Sequence, residues 1–202
     1  MRPIGSTKER LPIYENEFKN LITLVNADAK LNSQTWAKLL RAYTLLYFTG
    51  CRVSEISELK TDDLTSIITS CSLCLDGHTK TKKPRTIFFN EAMVKVLSCL
   101  PKDDCLGKNG YLFYAPSDTA YTPRAMNKFS LTELLNKYLD RYLGPLYTTH
   151  SFRAGYITRI VEATGNLKTA QDMVGHGSIK TTIRYLSTSK EQKFEALDKV
   201  FK

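Results

Sequence analysis

The sequence lacks the long apolar runs that membrane proteins need. No uninterrupted apolar stretch of about 18 residues occurs, so we expect no membrane span. The first residues, Met1 to Gly5, have no apolar core of the kind that signal peptides carry. We also find no internal repeat and no low-complexity tract. At a length of 202 residues, one domain or a domain with a small appendage is expected.

Cysteines are too few and too irregular for a disulfide-built scaffold. Their number, five, is odd, which favours reduced thiols in a cytosolic compartment, here the cytosol of a host cell. A zinc site would have to combine Cys71 and Cys74 with Cys99 and Cys105. The second pair is poorly spaced and the first alternates along a probable strand, so we expect no metal.

Acidic residues are in the minority, and this imbalance limits the possible partners. The net charge is +9 and the isoelectric point is about 9.3. One interpretation is a basic but inert surface, and the other is a polyanionic partner, most often nucleic acid. The hydrophobic fraction of 42% is ordinary for a globular chain that buries a core.

Apolar spacing and capping residues predict a mainly α fold with a small antiparallel β-sheet (α+β). Residues 1–11 are polar and read as an arm or a cloning remnant, so the domain is expected to cover 12–202. Ser33, Asn90 and Thr149 are predicted helix caps. The predicted helices cover residues 14–26, 33–50, 53–59, 90–97, 122–142, 167–174 and 178–187, with a further one that begins at Thr149. The predicted strands lie within residues 64–75 and 85–89, joined by a basic turn.

The first candidate site residue is Arg52, which follows a helix-ending glycine at Gly50. A guanidinium can hold two phosphate oxygens at once, which an ammonium cannot do. Glu55 lies one helical turn further on and is predicted to orient that guanidinium from behind. A surface Arg–Glu pair with this spacing is the alternative, because such pairs are common.

A basic turn between the two predicted strands supplies further cations. Lys80, Lys82, Lys83 and Arg85 lie within six consecutive residues that include Pro84. One interpretation is a solvated hairpin tip, and the other is a basic finger that reaches into a DNA groove. In the second case, one lysine could donate a proton to a leaving oxygen, since a lysine proton can leave.

Two of the three histidines lie in the last third of the chain. His150 and Arg153 are three residues apart and share a helix face, which suits them to hold a phosphate. His176 follows a helix-ending glycine, and Tyr185 lies on the next predicted helix. A lone histidine is more often a core residue than a catalyst. Together with an arginine, however, this set suggests a phenol that attacks a phosphodiester.

The ordered set of these residues is similar to the active-site signature of the tyrosine recombinases, the phage integrase and Xer-type family of site-specific recombinases. The intervals of 23 residues from Arg153 to His176 and nine from His176 to Tyr185 are typical of that family. The resemblance covers roughly residues 12–202. The residues that carry it are Arg52, Lys80, His150, Arg153, His176 and Tyr185.

The resemblance implies a site-specific DNA recombinase or integrase with a catalytic-domain fold. Tyr185 would attack the scissile phosphate and form a 3′-phosphotyrosyl link, while Arg52 and Arg153 would hold the non-bridging oxygens. His150 and His176 would contact that phosphate and assist proton movement. No metal and no nucleotide cofactor would be required, because the arginines supply the charge and the covalent link conserves bond energy.

The resemblance also implies the remaining roles and the partners. Lys80 would donate a proton to the departing 5′-oxygen, and Lys82, Lys83 and Arg85 would bind DNA. The partner would be double-stranded DNA, bound by a tetramer on two duplexes, with a monomer as the alternative for the free chain. The amphipathic segment after Tyr185 could dock on a neighbouring subunit. We expect Tyr185 to be less ordered than Arg52 and Arg153 without DNA.

Some features depart from the family pattern. Thr79 and Thr81 flank Lys80 where glycine is usual, so Lys82 and Lys83 remain competitors for the proton-donor role. Ala154 stands where many members have histidine. The family's N-terminal DNA-clamping domain is expected to be absent. A type IB topoisomerase-like enzyme and a DNA-binding module without catalysis are the alternative functions.

Overall fold

The computed structural model describes residues 10–75, 84–101, 110–114, 124–176 and 178–183. Over these ranges the chain forms nine helices and one two-stranded antiparallel sheet, which confirms the predicted fold class. The helices are α1 (Glu15–Ala27), α2 (Ser33–Thr49), α3 (Val53–Ile56), α4 (Thr61–Ser70), α5 (Glu91–Ser98), α6 (Lys128–Leu143), α7 (Thr149–Thr164), α8 (Leu167–Val174) and α9 (Ile179–Ile183). The strands are β1 (Ser72–Leu75) and β2 (Arg85–Phe88).

Helix α2 is the centre of the core, as its wide apolar arc predicts. Most of its residues are buried, and it packs against both α1 and α7. The Tyr43 ring stacks on Phe152 of α7 with ring centroids 5.5 Å apart. Asn32, and not the predicted Ser33, caps the helix, since its side chain accepts the backbone N–H of Thr35 at 2.8 Å. The packing of Tyr43 on Phe152 fixes the position of α2 relative to α7.

Residues 61–70 form a helix, α4, where the sequence predicted a turn and the start of a strand. The Asp63 carboxylate accepts the backbone N–H of Lys60 at 2.7 Å, which completes the first turn. Leu64 and Ile67 share one face and are buried. Four threonine and serine hydroxyls donate to carbonyls four residues earlier. Their polar groups are therefore satisfied inside a helix.

The two strands form the predicted antiparallel pair. Their register places Leu73 opposite Ile87 and Leu75 opposite Arg85. Leu73, Leu75 and Ile87 are buried, while alternate positions face outward. Asn90 caps α5 as predicted, since its side chain accepts the backbone N–H of Met93. The sheet places Arg85, the first residue of β2, where its side chain is buried.

Two predicted helix starts in the second half are wrong. Helix α6 begins at Lys128 with Asn127 as its cap, and residues 124–127 are not helical. Residues 122 and 123 lie outside the described ranges. Helix α7 has Thr148 at its N-cap position, so Thr149 is already its first helical residue. The Thr148 backbone N–H donates to the Ser151 hydroxyl at 3.0 Å, which explains the earlier start.

The segment before α1 lies along the start of α7 and the loop that precedes it. The backbone N–H of Ile13 donates to the Ser151 carbonyl at 3.0 Å, and that of Leu11 donates to the Leu146 carbonyl at 3.2 Å. A Cβ atom at Gly155 would lie 2.0 Å from the Ile13 carbonyl oxygen. Glycine is therefore required where the two backbones meet. None of the helices in the described part of the chain is long and apolar enough to cross a membrane.

Candidate active site

Arg52 stands at the junction between α2 and α3. Gly50 ends α2 with φ +59°, and a Cβ there would lie 2.5 Å from the Tyr156 ring. Arg52 is the N-cap residue of α3. The Glu55 carboxylate accepts its backbone N–H at 2.7 Å and its Nη1 at 3.1 Å. The Glu55 side chain is 1% exposed and that of Arg52 is 30% exposed. The predicted contact between the two is present, with the carboxylate beneath the guanidinium.

Glu55 also holds a second guanidinium, that of Arg85. The Arg85 Nη2 lies 2.9 Å from a Glu55 oxygen and also donates to the Cys51 sulfur at 3.3 Å. Its Nη1 donates to the Met173 carbonyl at 2.5 Å. The Arg85 side chain is only 8% exposed. The Arg85 charge is thus paired inside the domain, and its predicted DNA-binding role stays a prediction.

The Glu55 carboxylate is ionised despite its burial. Burial alone would raise its pKa, but the Arg85 guanidinium, the backbone N–H of Arg52 and the Arg153 guanidinium together lower the pKa below its usual value. One buried anion therefore lies among three guanidinium groups. The excess positive charge at this point suits a site that receives an anion.

Arg153 connects the two halves of the site from α7. It is 2% exposed, and its Nη1 donates to the Gly50 carbonyl at 2.6 Å. Its Nη2 donates to the Val174 carbonyl at 2.5 Å, and its Nε donates to His176 Nε2 at 3.3 Å. Burial and then the charge of Arg52 lower the pKa of Arg153 to about 10, so it stays charged at neutral pH. These bonds use three of its five N–H donors.

His176 lies just after the end of α8. Gly175 has φ +64° and turns the chain there. Burial and then the Arg153 charge lower the pKa of His176 to about 4. The ring is therefore neutral at neutral pH. Because Nε2 accepts from Arg153, the proton lies on Nδ1, which donates to the Thr182 hydroxyl at 3.0 Å.

Thr182 is a site residue that sequence reasoning missed. It lies on α9, is 0% exposed, and contacts the His176 ring. Its position three residues before Tyr185 was the available signal, because residues three apart share a helix face. The contact brings the described end of α9 against the histidine.

His150 lies in the first turn of α7 and is exposed, on the same helix as Arg153. Partial burial of its ring, followed by the charges of Arg10, Arg153 and Arg52, lowers its pKa. Both histidines of the predicted set are thus kept neutral in a cationic setting. A neutral imidazole can accept a proton, which a charged one cannot do.

Four predicted site residues lie outside the described residues, as do the hairpin tip and the amphipathic tail. They are Lys80, Lys82, Lys83 and Tyr185. The expectation that Tyr185 is less ordered than Arg52 and Arg153 therefore also concerns a residue outside the described ranges. The described chain resumes at Pro84, and its final segment ends at Ile183. In the described ranges, no group of three His, Cys, Asp or Glu residues could hold a metal ion.

The chain matches the model of the phage integrase family over residues 12–192. It is 29% identical over 194 residues to the tyrosine recombinase XerC of Bacillus pumilus, covering 91% of this chain and 59% of the relative. It is 25% identical over 186 residues to a tyrosine recombinase of Thermosipho africanus, covering 92% and 60%. The chain thus spans about 60% of the length of these curated relatives.

Solved structures of recombinases share the fold. A crystal structure of XerA recombinase superposes with a TM-score of 0.67 at 20% identity, covering all of this chain and 67% of that one. XerH site-specific recombinase bound to its difH substrate superposes with a TM-score of 0.64 at 16% identity, covering 94% and 53%. With the family model matched over residues 12–192, the chain belongs to the phage integrase family.

Proposed function

We propose that this chain is the catalytic domain of a site-specific DNA recombinase that cuts and rejoins strands through a 3′-phosphotyrosyl intermediate. One observation carries the proposal. Arg153 donates to the carbonyl of Gly50, two residues before Arg52, and also to the ring of His176. Two guanidiniums and a neutral imidazole from distant parts of the chain thus meet at one anion-attracting point. Such groups can stabilise the charge that develops in a phosphodiester transition state.

The proposed chemistry begins with the Tyr185 phenol. Its oxygen attacks phosphorus, the new O–P bond forms, and the bond from phosphorus to the 5′-oxygen breaks. The phenol proton passes to the neutral imidazole of His150, or to that of His176 once Nε2 releases its bond from Arg153, since a free tyrosine has a pKa near 10. Lys80 supplies the proton that the departing 5′-oxygen takes up. A 5′-hydroxyl from a second strand reverses these steps and completes the exchange.

In this proposal the arginines stabilise charge and do not transfer protons. Arg52 and Arg153 offer N–H donors to the non-bridging oxygens of the phosphate, where negative charge develops. Arg153 is fixed by three internal hydrogen bonds, so its orientation is set before DNA binds. Such preorganisation costs no rearrangement at the moment of reaction.

The proposed partner is double-stranded DNA, assembled with four copies of the chain. The net charge of +9 favours a polyanion. The XerH relative was solved on its difH substrate, and the Tn1549 integrase was solved with circular-intermediate DNA. Lys82 and Lys83 are proposed to bind the DNA backbone beside Lys80.

Covalent capture on nicked duplexes tests the proposal. A cleavage site is first selected from a randomised duplex library by its attachment to the protein. A nick just beyond that site lets the short 5′-hydroxyl fragment diffuse away, so the adduct accumulates. The wild type should form it, Tyr185→Phe should not, and Tyr138→Phe, a tyrosine of α6, should match the wild type. Adduct formation by Tyr185→Phe would refute the nucleophile assignment.

A further inference from the structure

The side chain of Arg85 joins three separate parts of the site. Its guanidinium contacts the Glu55 carboxylate of α3, the sulfur of Cys51 and the Met173 carbonyl near the end of α8. Arg85 itself begins β2, the strand that leaves the basic hairpin. One side chain therefore ties the hairpin strand to the Arg52 junction and to the end of α8.

The turn before His176 packs directly on Arg85. A Cβ atom at Gly175 would lie 2.8 Å from the Arg85 Cδ, closer than side-chain carbons approach each other. Gly175 also has φ +64°, a conformation that favours glycine. The aliphatic part of Arg85 thus supports the turn while its guanidinium binds the carbonyl that precedes it.

Arg85 and Arg153 both connect the region around the α2–α3 junction to the C-terminal end of α8. Arg153 spans from the Gly50 carbonyl to the Val174 carbonyl, and Arg85 spans from Glu55 to the Met173 carbonyl. These are consecutive carbonyls at the C-terminal end of α8, where acceptors lack helical partners and cations are favoured. Two arginines therefore fix the position from which His176 emerges.

Glu55 divides its charge between two arginines. One carboxylate oxygen accepts from Arg52 Nη1, and the other accepts from Arg85 Nη2 and from the Arg52 backbone. If Arg85 lost its charge, the buried carboxylate would be left with Arg52 as its bound guanidinium. It would then draw Arg52 inward and cancel the charge that Arg52 offers to a phosphate.

We propose that Arg85 is a positioning residue for strand cleavage: it shares the Glu55 carboxylate, so that Arg52 keeps its charge for the phosphate, and it supports the turn that carries His176. The inference rests on the proposed function. It assigns Arg85 no contact with DNA. The proposed role therefore concerns the rate of the chemical step and not the affinity for the duplex.

The test separates affinity from chemistry. Arg85→Met and the double variant Arg85→Met/Glu55→Gln are compared with Arg141→Met, which removes an arginine from a pair with Asp28 in another part of the fold. DNA affinity and the first-order rate of adduct formation at saturating duplex are measured below each variant's unfolding temperature. Two duplexes are used, one with the natural phosphate and one with a neutral methylphosphonate at the cleavage site.

We expect Arg85→Met to bind DNA within about threefold of the wild type and to form adduct about 100-fold more slowly. The defect should shrink at least tenfold on the methylphosphonate, because that substrate needs less positive charge. It should also shrink in the double variant, where no buried carboxylate draws Arg52 inward. Arg141→Met should behave as the wild type does.

Three results would overturn the inference. A weakened affinity with a normal rate at saturation would make Arg85 a DNA contact. A wild-type rate would remove any role in positioning. An equal defect on both duplexes, unrelieved in the double variant, would leave only a structural role.

A DNA-free measurement separates failure of this inference from failure of the proposed function. Arg85 is one of the charges that lower the pKa of His176. Titration by NMR should show that pKa raised by about half a unit in Arg85→Met. An unchanged pKa would contradict the placement of Arg85. Complete absence of adduct in the wild type would instead refute the recombinase assignment, and this titration would still test the position of Arg85.

Discussion

The Nε–H of Arg153 donates to the Nε2 of His176 across 3.3 Å, on the side of the ring opposite Thr182. A protonated imidazole has no lone pair to accept this bond. The contact therefore joins the charge state of the histidine to the orientation of the arginine. A site built this way keeps a neutral base beside a fixed cation.

This relationship predicts a pH dependence of stability. The pKa of His176 falls from 6.5 to about 4 on folding, chiefly through burial and then through Arg153, with Arg52 and Arg85 acting in the same direction and Glu55 opposing them. Since the folded value is the lower one, the unfolded chain takes up a proton first as the pH falls. The free energy of unfolding should decrease between about pH 6.5 and pH 4, by up to about 3 kcal/mol from this group.

Urea unfolding across this range checks the prediction, with His176→Asn as the comparison. The variant cannot titrate at this position, so its stability should depend on one proton fewer. NMR should also find the wild-type proton on Nδ1 at pH 7. A proton on Nε2, or identical pH dependence in both proteins, would contradict the geometry.

The Thr182 hydroxyl should contribute to both the stability of the fold and the rate of adduct formation. Thr182→Val removes the hydroxyl that contacts His176 and keeps the shape, so we expect a loss of about 1 kcal/mol in stability and about tenfold slower adduct formation. Thr132→Val is the matched control, because that hydroxyl donates to the Lys128 carbonyl on an exposed face of α6. Equal rates for the two variants would show that α9 does not support the histidine.

Substitution by lysine should lower stability less at Arg52 than at Arg153. Arg52 is partly exposed, so Arg52→Lys should change stability by less than about 1 kcal/mol yet slow adduct formation about 100-fold. Arg153 is buried with three acceptors, so Arg153→Lys should also lose about 3 kcal/mol. Thermal unfolding and capture rates, measured together, distinguish the two. Equal stability losses would contradict the burial of Arg153 and its three internal hydrogen bonds.

Alanine substitutions at two glycines of the α7 region should distinguish the effect of packing on stability from the effect of backbone conformation. Gly155→Ala places a methyl group against the Ile13 carbonyl, so we expect a loss of about 3 kcal/mol and faster hydrogen exchange at the Ile13 amide. Gly165→Ala meets open space but has φ +65°, so about 1 kcal/mol is expected and exchange at Ile13 should not change. The reverse order of losses would place the N-terminal segment elsewhere.

Local patterns predicted much of this fold. The apolar spacing of α2, its end at Gly50, the Asn90 cap and the β2 strand all depend on neighbouring residues. The same holds for Arg52 and Glu55, which are three residues apart on one helical turn. Such short-range interactions can be read from the order of residues.

Long-range interactions could not be read in this way. Arg85 appeared to be one more cation of a basic hairpin, because its acceptors Glu55 and Met173 are 30 and 88 residues away. Helix α4 was misread because isoleucine and threonine favour strands, whereas the threonine and serine hydroxyls here bond within the helix. Distant partners therefore decide the position of Arg85, whereas in α4 the bonds within the helix and the burial of Leu64 and Ile67 outweigh the strand propensity.

The central claim is that one tyrosine of this chain becomes joined to DNA. After capture on the selected duplex, nuclease digestion and peptide mass spectrometry identify the residue that carries the phosphoryl group. The account predicts a single modified residue, Tyr185, attached to the 3′ end of the cleaved strand, with a 5′-hydroxyl on the released fragment. A phosphoryl group on any other residue, or attachment to a 5′ end, would contradict it.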